Sequence, residues 1–199
     1  MIRVRQITLK ELKQMASDAR EGIWQKAENC DREPKVYLHW SAGRYNTKSD
    51  AYHINIDGDG NLFASTDDLA ETLAHTYRRN SGSVGITLCA AYGATSNDLG
   101  EYPPTAAQIE AMAQAVAVVA DALWLTIDRE HVMTHGEAAD NLDGIYASEP
   151  YGPQSTCERW DLQYLGTNES PAYTTDYDDP ATGGNVLRGK ANWYRQQEQ

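Results

Sequence analysis

Two histidines and one short downstream cluster hold the side chains of this sequence most capable of chemistry. His39 ends the apolar run VYLH, His135 ends VMTH, and STCERWDL packs Cys157, Arg159 and Asp161 into five positions. Imidazole nitrogen with thiolate or carboxylate is the ligand set of Zn²⁺, and three such ligands beside one open position make a zinc site catalytic rather than structural. A lone histidine at a strand end is more often a packed or exposed residue than a ligand. Here both would stand at the C-terminal ends of apolar strands, where α/β sheets gather ligand-binding side chains, and parallel neighbouring strands would bring the two rings into one pocket. Cys157 and Asp161 are both open as the third ligand. Softness favours the thiolate. In an extended segment Arg159 and Asp161 share one face and Trp160 turns away, but Cys157 follows the same alternation.

The elements that must position these residues show in the periodicity. Thr8 and Glu11 have capping-box spacing, and Leu9, Leu12, Ala16, Ala19, Ile23 and Ala27 recur on one helical face, which predicts a helix over 8–29. KVYLHW alternates Val36, Leu38 and Trp40 against Tyr37 and His39, a strand stopped by SAG. YHINIDGDGNLFAS reads as a hairpin, with Tyr52, Ile54 and Ile56 opposed to His53 and Asn55. SVGITLCAAYG suits a buried central strand at about 83–91. A second capping box, Thr105 with Gln108, opens a helix carrying Ile109, Met112, Val116, Val119 and Leu123 to about Trp124. EHVMTH is then a short strand ending in His135, and 136–153 reads as a long loop of the kind that is often functional. These elements predict a single α/β domain with a mixed central β-sheet flanked by helices. Residues 1–30 form an N-terminal helix packed on it, 31–166 the catalytic domain, and 167–199 a C-terminal tail whose end, RGKANWYRQQEQ, is compatible with one short helix.

Bulk properties narrow the partners. A formal net charge of −12 opposes a nucleic-acid surface, which needs Lys and Arg to displace counterions from phosphate. No apolar run approaches the roughly 20 residues of a membrane span, so no membrane insertion is expected. The start MIRVRQITLKELKQ lacks the apolar core of a secretory signal, so synthesis in the cytoplasm is expected. Cys30, Cys89 and Cys157 form no even, closely spaced set and read as reduced thiols. DGDGN at 57–61 places Asp57, Asp59 and Asn61 at calcium-loop positions, but Leu62 and Asp68 stand where glycine and glutamate are required, so a hairpin turn is the better reading.

The order of these pieces resembles the zinc-dependent N-acetylmuramoyl-L-alanine amidases, including their phage lysozyme-type members and the peptidoglycan recognition proteins. The resemblance runs over about 34–166. VYLHWSAG is similar to the family's first-ligand strand, AYHINIDGDGNL to its Tyr-His hairpin and AHTYRRNSGSVGITL to its His-to-Ser-Ile/Val-Gly-Ile segment. PPTAAQIEAM is similar to its helix opener, VMTHGEAAD to its second-ligand strand and ERWDL to its third-ligand turn.

This resemblance implies Zn²⁺ held by His39, His135 and a third ligand, with Arg159-Trp160-Asp161 matching the family's triplet of a basic residue two before the ligand. That favours Asp161 over Cys157. Arg159 then faces the oxyanion, as a fixed charge that cannot donate a proton; deleting such a contact costs about 3–4 kcal/mol. Many relatives carry glutamate where this chain has Thr87, and others use a hairpin tyrosine, which corresponds to Tyr52. Glu137 is a weaker candidate base. His75 and Asn80 are implied as substrate-binding, whereas His53 should face away and His131 has no assigned role. The implied activity is hydrolysis of the amide between N-acetylmuramic acid and L-alanine, in peptidoglycan or a soluble muropeptide. A phage or prophage endolysin released through a holin is the leading expectation. A cytoplasmic muropeptide-recycling amidase and an inactive peptidoglycan-binding module are the alternatives.

Overall fold

The computed structural model describes residues 3–145 and 160–198. In chain order the elements are β1 (Arg5–Ile7), α1 (Leu9–Glu28), β2 (Lys35–Trp40), β3 (Ile54–Ile56), β4 (Leu62–Ala64), β5 (Ser83–Leu88), α2 (Ala106–Leu123), β6 (Val132–Thr134), α3 (His135–Ala139) and α4 (Gly183–Gln197). Among the described residues these strands form one six-stranded mixed sheet in the order β1-β4-β3-β5-β2-β6. The β3-β5, β5-β2 and β2-β6 pairs are parallel, whereas the β1-β4 and β3-β4 pairs are antiparallel.

Local chemistry sets the helix starts. Thr8 accepts the Glu11 amide at 3.1 Å and Glu11 returns a bond to the Thr8 amide at 2.7 Å; Thr105 and Gln108 make the same box at 3.0 Å each way. Leu12, Ala16, Ala19, Ile23 and Ala27 are the buried stripe of α1, with Leu9 half-buried. α2 is long and apolar enough to cross a membrane, but most of it is buried inside the fold between α1, α4 and the sheet, as a helix apolar on nearly every side must be in a folded domain. Gln108 fastens its N-terminus to the sheet by donating to the carbonyls of Ile56 at 3.1 Å and Cys89 at 3.0 Å.

The period-2 alternation of the strands sorts the two faces of the sheet. Val36, Leu38 and Trp40 of β2, Ile54 and Ile56 of β3, and Val84, Ile86 and Leu88 of β5 join the helices in one large apolar core. Register aligns Tyr37 with Gly85 and Met133, and His39 with Thr87, which is aligned with Asn55, so those residues share the opposite face. Both faces of β2 and β5 are buried. The chemistry-bearing face is therefore covered by loops and by α3.

Four features differ from the sequence reading. β1 adds an edge strand before α1. The hairpin strands are three residues each, and Tyr52 and His53 precede β3. His135 is the first residue of α3, not the last of a strand, because Thr134 caps that helix in a box with Glu137. The segment after 166 contains a 15-residue helix, α4, whose Leu187, Arg188 and Ala191 are buried and which packs chiefly on α2. The DGDGN segment is a turn as expected: Asp57 Oδ1 accepts the amides of Asp59 at 3.0 Å and Asn61 at 2.9 Å.

Candidate metal centre

β2 and β6 are parallel neighbours, so His39 near the end of β2 and His135 just past β6 reach the same point. Asp161 joins them from a turn that follows Trp160. His39 Nδ1 lies 3.2 Å from His135 Nδ1 and 3.2 Å from Asp161 Oδ2, and His135 Nδ1 lies 3.4 Å from the same carboxylate oxygen. All three residues are buried. A tetrahedral zinc with bonds of about 2.0–2.1 Å holds its ligand atoms roughly 3.3–3.4 Å apart. The triangle of donor atoms has nearly those edges, so the residues present fit the ion.

Electrostatics agree with that fit. Burial above all, followed by the neighbouring His135 and His75, pushes the His39 imidazole well below its ordinary value, so the ring is neutral and keeps a lone pair to give. Two neutral imidazoles and one carboxylate would leave a divalent ion with a net charge of about +1. Cys89 is no rival, because burial pushes its thiol up to about 12. Cys157 and Arg159 lie outside the described residues.

Packing fixes the turn at Asp161. Trp160 is buried as expected, edge-on to Trp40 with ring centroids 5.8 Å apart and edge-on to Tyr173 at 5.4 Å. Residues 160–163 form a turn and Leu162 adopts a left-handed φ of 65°; the extended stretch expected over Cys157 to Arg159 lies outside the described residues. For a bulky residue that conformation is strained. Gly183 at the start of α4 lies against it: a Cβ there would sit 1.8 Å from the Leu162 carbonyl oxygen. α4 thus buttresses the turn that carries Asp161.

It also buttresses the segment that carries His135. Arg188 on α4 forms a buried pair with Glu137, Nη1 to Oε1 at 2.7 Å and Nη2 to Oε2 at 2.8 Å, and donates to the Val132 carbonyl at 2.9 Å. Glu137 Oε1 also accepts the Thr134 amide at 2.9 Å. The sequence reading made Glu137 a weaker candidate base in a loop; the structure buries it on α3 with both oxygens engaged, two residues beyond His135.

The remaining predicted residues surround His39. Tyr52 is buried with its ring centroid 4.9 Å from that of His39. Thr87 stands beside His39 in register, its hydroxyl 3.3 Å from the Leu88 carbonyl. His75 is buried against His39, with centroids 5.4 Å apart, and its imidazole is also pushed well below the ordinary value, foremost by burial. Gly85 makes room for this ring, since a Cβ there would meet it at 2.7 Å. Asn80 Oδ1 accepts the amides of His75 at 3.0 Å and Thr76 at 2.8 Å, which pins the turn. His53 faces elsewhere, donating from Nε2 to the Glu71 carbonyl at 2.7 Å and accepting the Gly85 amide at 2.9 Å. His131 is held between Glu33 at 2.6 Å and Asp128 at 2.8 Å.

Sequence reasoning missed Thr76, whose hydroxyl lies 3.3 Å from His39 Nε2, as well as Arg188 and Gly183. The only available signal was adjacency for Thr76 and the cap-like Thr182 before α4 for the other two. Neither a comparison with curated proteins nor one with solved structures finds a match. A family model described as N-acetylmuramoyl-L-alanine amidase does match, over residues 10–149, a stretch that holds His39 and His135 and stops short of Asp161. With well over half of the 199 residues matched and two of the three converging side chains inside the match, the chain belongs to the N-acetylmuramoyl-L-alanine amidase family.

Proposed function

We propose that the protein is a zinc hydrolase that cleaves the amide between N-acetylmuramic acid and L-alanine of peptidoglycan, of the phage or prophage endolysin type. The observation that carries the metal assignment is the triangle of His39 Nδ1, His135 Nδ1 and Asp161 Oδ2, with edges of 3.2, 3.2 and 3.4 Å. Family membership supports the substrate. The endolysin type, with cytoplasmic synthesis and action on the wall, rests on the motif resemblance.

In this reading His39, His135 and Asp161 hold Zn²⁺ and leave its fourth position open. Bound there, zinc supplies Lewis acidity toward the amide carbonyl and lowers the pKa of a coordinated water from 15.7 to about 7. Tyr52, packed against the His39 ring, is assigned a hydrogen bond to the carbonyl oxygen as it gains charge. With an ordinary value near 10, a phenol donates a hydrogen bond more readily than it accepts a proton. Thr87 takes no proton either, which leaves Tyr52 the stronger second group. Arg159, two residues before Asp161, is assigned the developing negative charge. Glu137, whose oxygens are engaged by Arg188 and Thr134, is assigned to positioning His135.

Incubating purified peptidoglycan with the zinc-loaded protein should release new L-alanine amino termini without new reducing ends. Chelation should stop the release and added zinc should restore it. No new amino termini in the presence of zinc, or full turnover by protein shown to be metal-free by elemental analysis, would remove this reading.

A further inference from the structure

The side chains behind His39 form a hydrogen-bonded line whose direction follows from the polarity of its far end. Ser83 Oγ lies 2.8 Å from the Arg79 carbonyl and 2.9 Å from the Asn80 carbonyl. Carbonyls only accept, so the single Ser83 proton points to them, and its oxygen is left to accept from His75 Nε2 at 3.4 Å. The neutral His75 ring, with its proton on Nε2, then presents a lone pair at Nδ1. Thr76 Oγ1 is 2.8 Å from that atom and donates to it. The Thr76 oxygen in turn is left to accept from His39 Nε2 at 3.3 Å. A neutral imidazole with its proton on Nε2 has its lone pair on Nδ1, the atom in the ligand triangle.

We infer that Thr76, His75 and Ser83 are positioning residues that lock His39 in the tautomer required of a metal ligand. This rests on the zinc-centre reading and deepens it. Every member is buried, and Asn80 together with the glycine at 85 keeps His75 and Thr76 in place. A reversed line would place the Thr76 proton toward His39 Nε2 and push the ring's own proton onto Nδ1, against the ion. Fixing tautomer and orientation through the second ring nitrogen is a general means of tuning metal affinity, and losing such a partner typically weakens binding by about 10–100-fold.

The test compares zinc dissociation constants, measured by chelator competition, for the parent, Thr76→Val, Thr76→Ser and Ser83→Ala, with fold checked by circular dichroism without metal. The His39 Nε2–H signal is followed by ¹⁵N NMR in the zinc-loaded proteins. Thr76→Val, which keeps shape and removes the acceptor, should weaken zinc by about 10–100-fold and expose the Nε2–H to faster exchange. Thr76→Ser should restore both toward the parent. Ser83→Ala, which reaches His39 only through the other two residues, should weaken zinc in the same direction and decides the matter if Thr76→Val fails to fold. Unchanged zinc affinity in folded Thr76→Val or Ser83→Ala, beside a parent that binds one zinc, would overturn the relay and leave the centre standing. A parent that binds no zinc would overturn both.

Discussion

Asp161→Ala is expected to lose both zinc and amide hydrolysis, whereas Cys157→Ser keeps both. Asp161 supplies one of three converging donor atoms and the only negative charge among them. Without it two neutral imidazoles remain, and the loss of zinc affinity should exceed the roughly 100-fold upper range for residues that merely support a ligand. Metal content after gel filtration and release of amino termini from peptidoglycan read the two effects separately. The reverse pattern, with zinc lost from Cys157→Ser and kept by Asp161→Ala, would transfer the ligand role to the thiol.

Arg188→Ala is expected to destabilise the fold by about 3–5 kcal/mol, the usual penalty for leaving a buried charge without its partner. At roughly 2–4 °C per kcal/mol for a chain of this size, the melting temperature should fall on the order of 10 °C. The argument is geometric: the guanidinium makes two bonds to Glu137 and one to the Val132 carbonyl, tying α4 to both sides of His135. Zinc affinity should fall with stability. Thermal melts of metal-free protein settle it, and an unchanged melting temperature would show that α4 does not brace the centre. If Glu137 were the proton acceptor in the reaction, Glu137→Gln would lower turnover while leaving zinc affinity and stability intact.

Much of this architecture was legible because its signals are local. The capping boxes of α1 and α2, the apolar stripe of α1 and the strand carrying His39 each depend on residues within one helical turn or one alternation. The box at Thr134 and Glu137 was equally visible, but a short apolar run before it reads as strand, and the change to helix after Thr134 went unseen. β1 has only three residues with two exposed, too few to show a period. The turn at Asp161 owes its shape to Trp160 packing on Trp40, a contact across 120 positions that spacing within ERWDL cannot encode. Arg188 with Glu137, and Ser83 with His75 and Thr76, likewise meet only in the fold. Strand ends and motif order point to His39 and His135, and the structure places the two side by side. What those imidazoles do with their protons depends on neighbours that no sequence pattern joins.

The claim on which the rest depends is that His39, His135 and Asp161 hold one catalytic zinc. An anomalous difference map at the zinc absorption edge, from crystals of protein that releases L-alanine amino termini from peptidoglycan, tests it most directly. The account predicts a single strong peak within bonding distance of His39 Nδ1, His135 Nδ1 and Asp161 Oδ2, and of no sulfur. A peak bonded to Cys157, or no peak at these residues in active protein, would contradict it.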